Sequence, residues 1–228
     1  MTFPGGRYEP PRGSPARGHL PLPEALYVLG HDLDGRPRYH PKLLDLVIAG
    51  ALLAEPAVAG VLKIGDGGVE VAAEPTDTRD LQLAVLRTVA NTPGRYGVAD
   101  WLARLAPDAT ARTGESLERA GLCRRFTARR LGLFREERIR FADPSVLGRT
   151  ETWYTYALVW GNDLGAHDAV VASLGRQLGP PPPAYADLPA ERRRHRRQVI
   201  DAAMDEPVRR IVAATHAAIT ASAFGAYG

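Results

Sequence analysis

The chain has 228 residues, 45% of them hydrophobic, with 29 Lys and Arg against 26 Asp and Glu and a formal net charge of +3. That length supports one large core or two small ones. Its single cysteine, Cys123, excludes an intramolecular disulfide, and the apolar run 46–54 is too short for a bilayer, which takes about 20 residues.

Lys42 and Lys63 are the only lysines, so almost every cation is an arginine. A guanidinium suits phosphate because its planar fork can bind bidentately. A GC-rich genome, which spells basic residues as Arg and apolar ones as Ala, is the compositional alternative.

Residues 1–20 are rich in Pro, Gly and Arg and lack periodicity, which predicts a disordered arm carrying Arg7, Arg12 and Arg17. No apolar signal segment is visible there. A cytoplasmic protein, peripheral to the inner face of the membrane, is the expectation. A short helix over 22–29 is followed by His31-Asp32-Leu33-Asp34-Gly35. This reads as an Asx-type turn, with metal binding as its alternative.

Residues 41–55 then predict the central helix. Pro41 suits its first turn, and Leu43, Leu44, Leu46, Val47, Ile48, Leu52 and Leu53 cover nearly the whole circumference. A helix apolar all round is buried on all sides. Residues 61–71 read as a β-hairpin turning at Gly65-Asp66-Gly67-Gly68.

Leu81, Val85 and Val89 recur at helical spacing over 78–90, with Thr78 the predicted N-cap. A short helix over 98–105 and another from Pro107-Asp108 to Ala120 follow, the latter closed by Gly121 at C′. Residues 124–141 predict a second hairpin in which seven arginines face only two acids, Glu136 and Glu137. Interleaved apolar and Arg residues fit a membrane interface, apolar groups in the acyl boundary and guanidinium groups at the phosphates. They fit equally a hairpin with its apolar face on the core.

Helices are predicted over 145–164, with Trp153, Ala157, Trp160 and Leu164 on one face, and over 166–178. Residues 180–183 form a stiff proline spacer. The basic run 191–197 precedes a last amphipathic helix over 206–221. That run reads as either a phosphate-recognising patch or a solvated helix face.

No His-x-x-x-His or paired-Cys pattern favours zinc, and Gly65-Asp66-Gly67-Gly68 lacks the Lys-Ser/Thr of a phosphate loop. Cys123 lacks an obvious activating partner, although Arg124 and Arg125 would lower its pKa. No catalytic constellation emerges. An enzyme, a metal and a cofactor are all unexpected.

The order of Leu22-Pro23-Glu24-Ala25-Leu26, the Asp-rich turn, a helix containing Ala49-Gly50-Ala51-Leu52-Leu53-Ala54-Glu55, and Gly60-Val61-Leu62 resembles the Golgi phosphoprotein 3 family in its bacterial branch. Leu117-Glu118-Arg119-Ala120-Gly121-Leu122 and Leu131-Gly132-Leu133-Phe134 extend the resemblance. It implies a mainly α fold over residues 21–228: a single globular helical domain around a central apolar helix, with two short β-hairpins. It also implies a peripheral membrane adaptor that binds phosphatidylinositol-4-phosphate.

In eukaryotic members an aromatic residue and an Arg near the start of the central helix, with two Arg before the hairpin, hold the headgroup. The matching positions here, His40, Ala49, Pro107 and Thr110, all depart from that pattern. Arg38, His40, Lys42, Arg104 and Arg112 are the residues that would supply headgroup contacts instead. Arg129, Arg130, Leu131, Leu133, Phe134 and Arg135 form the membrane hairpin. An anionic membrane lipid is the expected partner, with client proteins or a second copy of the chain as further ones. DNA binding through a winged helix, with the basic hairpin as wing, is the disfavoured alternative: Glu115 and Glu118 on the preceding helix would face phosphate.

Overall fold

A computed structural model describes residues 20–74, 79–130 and 134–224, with side chains at 129, 130, 134, 135, 223 and 224 left out of the description. The predicted arm up to residue 19, the predicted cap Thr78, and Leu131 and Leu133 lie outside the described residues, whereas Leu20, predicted in the arm, packs against the core. The fold is mainly α with two antiparallel hairpins.

Helix α2 (Pro41–Val58) is the axis of the core. His40 is its N-cap, its Nδ1 accepting the Lys42 N–H at 3.3 Å. Every residue from Val47 to Ala54 is buried. Leu46, predicted to be core, is only half-buried, because it lies on the same face as the exposed Lys42 one turn before it, while Leu44 between them turns to the core and is buried. The helix also runs past its predicted end at Glu55. Pro56 keeps a helix-compatible φ at the loss of one N–H, and Pro56 and Ala57 are buried.

Helix α1 (Leu22–Leu29) lies on α2 with every residue buried. Its Leu22 N–H has no intrahelical acceptor and donates to Glu55 Oε2 at 2.6 Å, tying α1 to the far end of α2. Strands β1 (Leu62–Gly65) and β2 (Gly68–Val71) form the first hairpin, pairing Leu62 with Val71 and Gly65 with Gly68. Helices α3 (Asp80–Asn91) and α4 (Val98–Leu105) follow. A 3₁₀ turn (Ala106–Asp108) leads into α5 (Ala109–Arg119). Gly121, at φ +71°, ends that stretch in the left-handed conformation expected at C′.

Strands β3 (Cys123–Arg130) and β4 (Phe134–Phe141) make the second hairpin. Helix α6 (Val146–Val159) is shorter than predicted. Trp160 is its C-cap and 46% exposed, so it does not share the core face of Trp153 and Ala157. Helix α7 (Ala166–Gly175) packs on α1, α2 and α6. The proline run leads into the short α8 (Pro183–Ala186), then α9 (Ala190–Ala202) and α10 (Glu206–Phe224). Most of the basic run on α9 is solvated. Arg196 is the buried exception, donating to the carbonyls of Ala157 at 2.8 Å and Leu158 at 3.0 Å at the end of α6.

Candidate functional site

The second hairpin is two-sided. Its inner face anchors at the base: Cys123 and Ile139 are buried and Phe141 packs against the core. Burial pushes the Cys123 thiol up to about 11, so it is a packing group rather than a nucleophile. On the same face Arg125 is fully engaged. Its backbone N–H and Nε donate to the Glu118 carboxylate at 3.0 and 3.1 Å, and Glu115 and Glu137 lie 3.9 Å from its guanidinium. These bonds from Arg125 hold the Glu118 pKa below the usual carboxylate value.

The outer face is different. The register sets Arg124 opposite Arg140, Phe126 opposite Arg138 and Ala128 opposite Glu136. Arg138 donates to Glu136 at 2.8 Å. Arg124 and Arg140 are both exposed, and neither forms an ion pair among the described residues. The Arg140 guanidinium sits 5.3 Å from the centre of the Phe126 ring, a cation–π contact that holds it over the strand. Like charges directly opposite each other destabilise a two-stranded ladder. Arg129 stands opposite Arg135 nearer the tip, at register positions in line with Arg125 and Ile139 rather than with Arg124 and Arg140.

The turn after α1 buttresses this hairpin. Ile139 N–H donates to Gly35 O at 2.9 Å. A Cβ at Gly35, where φ is +74°, would fall inside the Ile139 carbonyl. Only glycine allows this approach. The turn itself uses Asp32: its Oδ1 accepts the N–H groups of Asp34 and Arg36 at 2.9 and 2.8 Å. His31 points inward, its Nδ1 2.7 Å from Tyr27 O. Both groups are thus committed to the turn and to α1. Among the described residues no group of three His, Cys, Asp or Glu is placed to hold a metal ion.

The sequence matches the Golgi phosphoprotein 3 (GPP34) family over residues 22–219. The chain belongs to the Golgi phosphoprotein 3 family. No curated protein matches it significantly.

In this Golgi phosphoprotein 3 family member the headgroup residues named from the sequence are dispersed in their contacts. Arg38 donates to Glu151 on α6 at 2.7 Å. His40 caps α2. Arg104 stacks over Tyr96 at 4.2 Å, and Arg112 faces Asp108 at 3.9 Å. Lys42 is exposed and without an ion pair among the described residues. Of the four family-equivalent positions, Ala49 is fully buried and Pro107 is exposed. The Thr110 N–H at the start of α5 is taken by Asp45 Oδ1 at 3.1 Å. A helix N-terminus attracts anions, and here the chain supplies its own carboxylate.

Of the membrane-hairpin residues, Arg129, Arg130, Phe134 and Arg135 end the two strands, while Leu131 and Leu133 fall outside the described residues. The opposed Arg124 and Arg140 were not singled out by the sequence. The count of arginines gave a signal, but pairing them required the register.

Proposed function

We propose that this chain is a peripheral membrane protein that binds anionic lipid headgroups through the outer face of the β3–β4 hairpin and acts as an adaptor. The observation that carries this reading is the exposed Arg124–Arg140 pair. Like charges on directly opposed residues of a ladder, neither of them in an ion pair among the described residues, repel each other, and a phosphate bound by both removes the repulsion while accepting charge-assisted hydrogen bonds. The apolar sequence Leu131-Gly132-Leu133-Phe134 between the two strands supports insertion of the hairpin into the acyl boundary. No helix among the described residues is long and apolar enough to cross a membrane.

Asp45 of α2, which accepts the Thr110 N–H at the start of α5, supports weak headgroup selectivity, because its carboxylate repels a phosphate at the place where the family resemblance expects arginine. Phosphatidylinositol-4-phosphate is then one anionic ligand among several.

Sedimentation with vesicles tests this. Binding to vesicles containing phosphatidylinositol-4-phosphate and to charge-matched phosphatidylglycerol vesicles should be similar and should fall with salt. Arg124→Ala with Arg140→Ala should weaken both roughly 30-fold, at about 1 kcal/mol per arginine. Strong preference for the phosphoinositide would overturn the weak selectivity. DNA binding stronger than vesicle binding at the same salt would favour the winged-helix reading.

A further inference from the structure

At the opposite end of α2 from His40 and Lys42 lies a cavity of ≈ 210 Å³, bounded by the start of α1, the end of α2 and the first turn of α3. Its polar lining is unusual. Gln82 is only 6% exposed, and neither its Nε2 nor its Oε1 has a hydrogen-bond partner among the described residues. Buried amides are almost always paired, and leaving both ends unpaired destabilises a fold. The complement of a carboxamide is another amide, whose N–H and C=O meet its acceptor and donor together.

The charge of the site is the second observation. Glu24, 4% exposed, is bound by Arg79. Glu55 also lines the cavity; its Oε2 holds the Leu22 N–H and lies 3.5 Å from His167 Nε2. Its Oε1 makes no hydrogen bond among the described residues. Two carboxylates thus face one guanidinium, and His167 adds charge only when protonated. Burial raises the Glu24 pKa, and the neighbouring Glu55 charge acts in the same direction against Arg79. Pro21, Pro23 and Pro56 complete the wall with residues that have no N–H to donate. The lining therefore carries two carboxylates against one guanidinium, beside one unpaired amide.

We propose that this cavity binds a small amide bearing an adjacent ammonium group, the chemistry of an aminoacyl amide. The ligand amide pairs with Gln82 and its ammonium lies toward Glu55. Two sources share that chemistry: a free amino-acid amide and the N-terminal residue of a polypeptide. The site does not touch the β3–β4 hairpin and stands apart from the lipid reading.

Calorimetric titration of the full chain with L-alaninamide, N-acetylalaninamide, propylamine and trialanine tests the proposal. Alaninamide should bind at least about tenfold more tightly than the acetylated amide or the plain amine, which each lack one half of the recognition. Gln82→Leu should abolish this binding without lowering the melting temperature, since it removes an unpaired buried amide. Glu55→Gln, which keeps an acceptor for Leu22, should erase the preference for the charged amide. In the parent protein with ¹⁵N-labelled glutamine, the Gln82 side-chain amide signals should shift during titration whether or not the variants fold. Tighter binding of trialanine assigns the site to a polypeptide N-terminus, and tighter binding of alaninamide to a free small molecule. Absence of binding by any probe, binding unchanged in Gln82→Leu, or unmoved Gln82 signals would each overturn the proposal and leave a solvent-filled cavity.

Discussion

His31 illustrates how one side chain couples the fold to pH. Its ring is buried, tilted against the Tyr27 ring with centroids 4.5 Å apart, and bonded to the Tyr27 carbonyl, which can only accept. Nδ1 therefore carries the proton and donates it. Burial lowers the pKa from 6.5, with Arg38 acting in the same direction and the Tyr27 bond opposing. The folded state thus takes up a proton less readily than the unfolded chain. The stability from neutral His31 is fully present above pH 6.5 and is lost as pH falls through 6.5 toward the lowered folded value. His31→Asn keeps a donor near the Nδ1 position and cannot titrate. Thermal melts below pH 6.5 should show a shallower loss of stability in this variant than in the parent. Equal slopes would mean that His31 is not the titrating group.

At the scale of elements, α2 and α10 meet through the absence of a side chain. A Cβ at Gly50 would run into the Thr215 hydroxyl, with Thr215 Cγ2 at 3.0 Å and Cβ at 3.2 Å. Thr215 is fully buried and its hydroxyl bonds locally to Ile211 O at 2.8 Å. In the middle of a helix, glycine is otherwise the poorer choice by about 1 kcal/mol relative to alanine. Close packing is what retains it. Gly50→Ala should therefore destabilise the protein by about 1–3 kcal/mol in denaturant unfolding. In a Thr215→Ala background, which removes the hydroxyl and Cγ2 but leaves Cβ at 3.2 Å, the same substitution should cost markedly less. A double-mutant cycle with no coupling would show that the helices approach elsewhere.

For the whole molecule, the hairpin tip and the core should be separable. The buried anchor Ile139 is five residues from Phe134 along β4, roughly 17 Å at strand rise. Complete removal of Leu131, Leu133 and Phe134 from water would contribute roughly 1.5–3 kcal/mol each to membrane binding. Leu133→Asp with Phe134→Asp should abolish vesicle sedimentation and leave the melting temperature nearly unchanged. If the double variant melts far below the parent, the tip belongs to the core. If it stays folded and still sediments, the anchor lies elsewhere and the solvated arginines of α9 become the next surface to test.

What the sequence determined by itself was local. An apolar pattern around the full circumference of 41–55 implied a buried central helix, and Gly121 marked the end of α5, because burial periodicity and left-handed backbone are written in neighbouring residues. The family order and the mainly α class were legible for the same reason. Even so, the half-buried Leu46 and the exposed Trp160 escaped it, since an all-round apolar pattern does not reveal which face the core leaves uncovered, nor periodicity where a helix ends. Only the tertiary structure decided which arginines are free. Arg125 is held by Glu118, seven residues before it in sequence, and Arg38 by Glu151, 113 residues away, while the strand register leaves Arg124 facing Arg140. The same holds for Gln82, brought beside Glu24 and Glu55 by packing of α3 against the ends of α1 and α2. Such pairings depend on how distant elements dock, and composition and spacing along the chain carry almost no trace of docking.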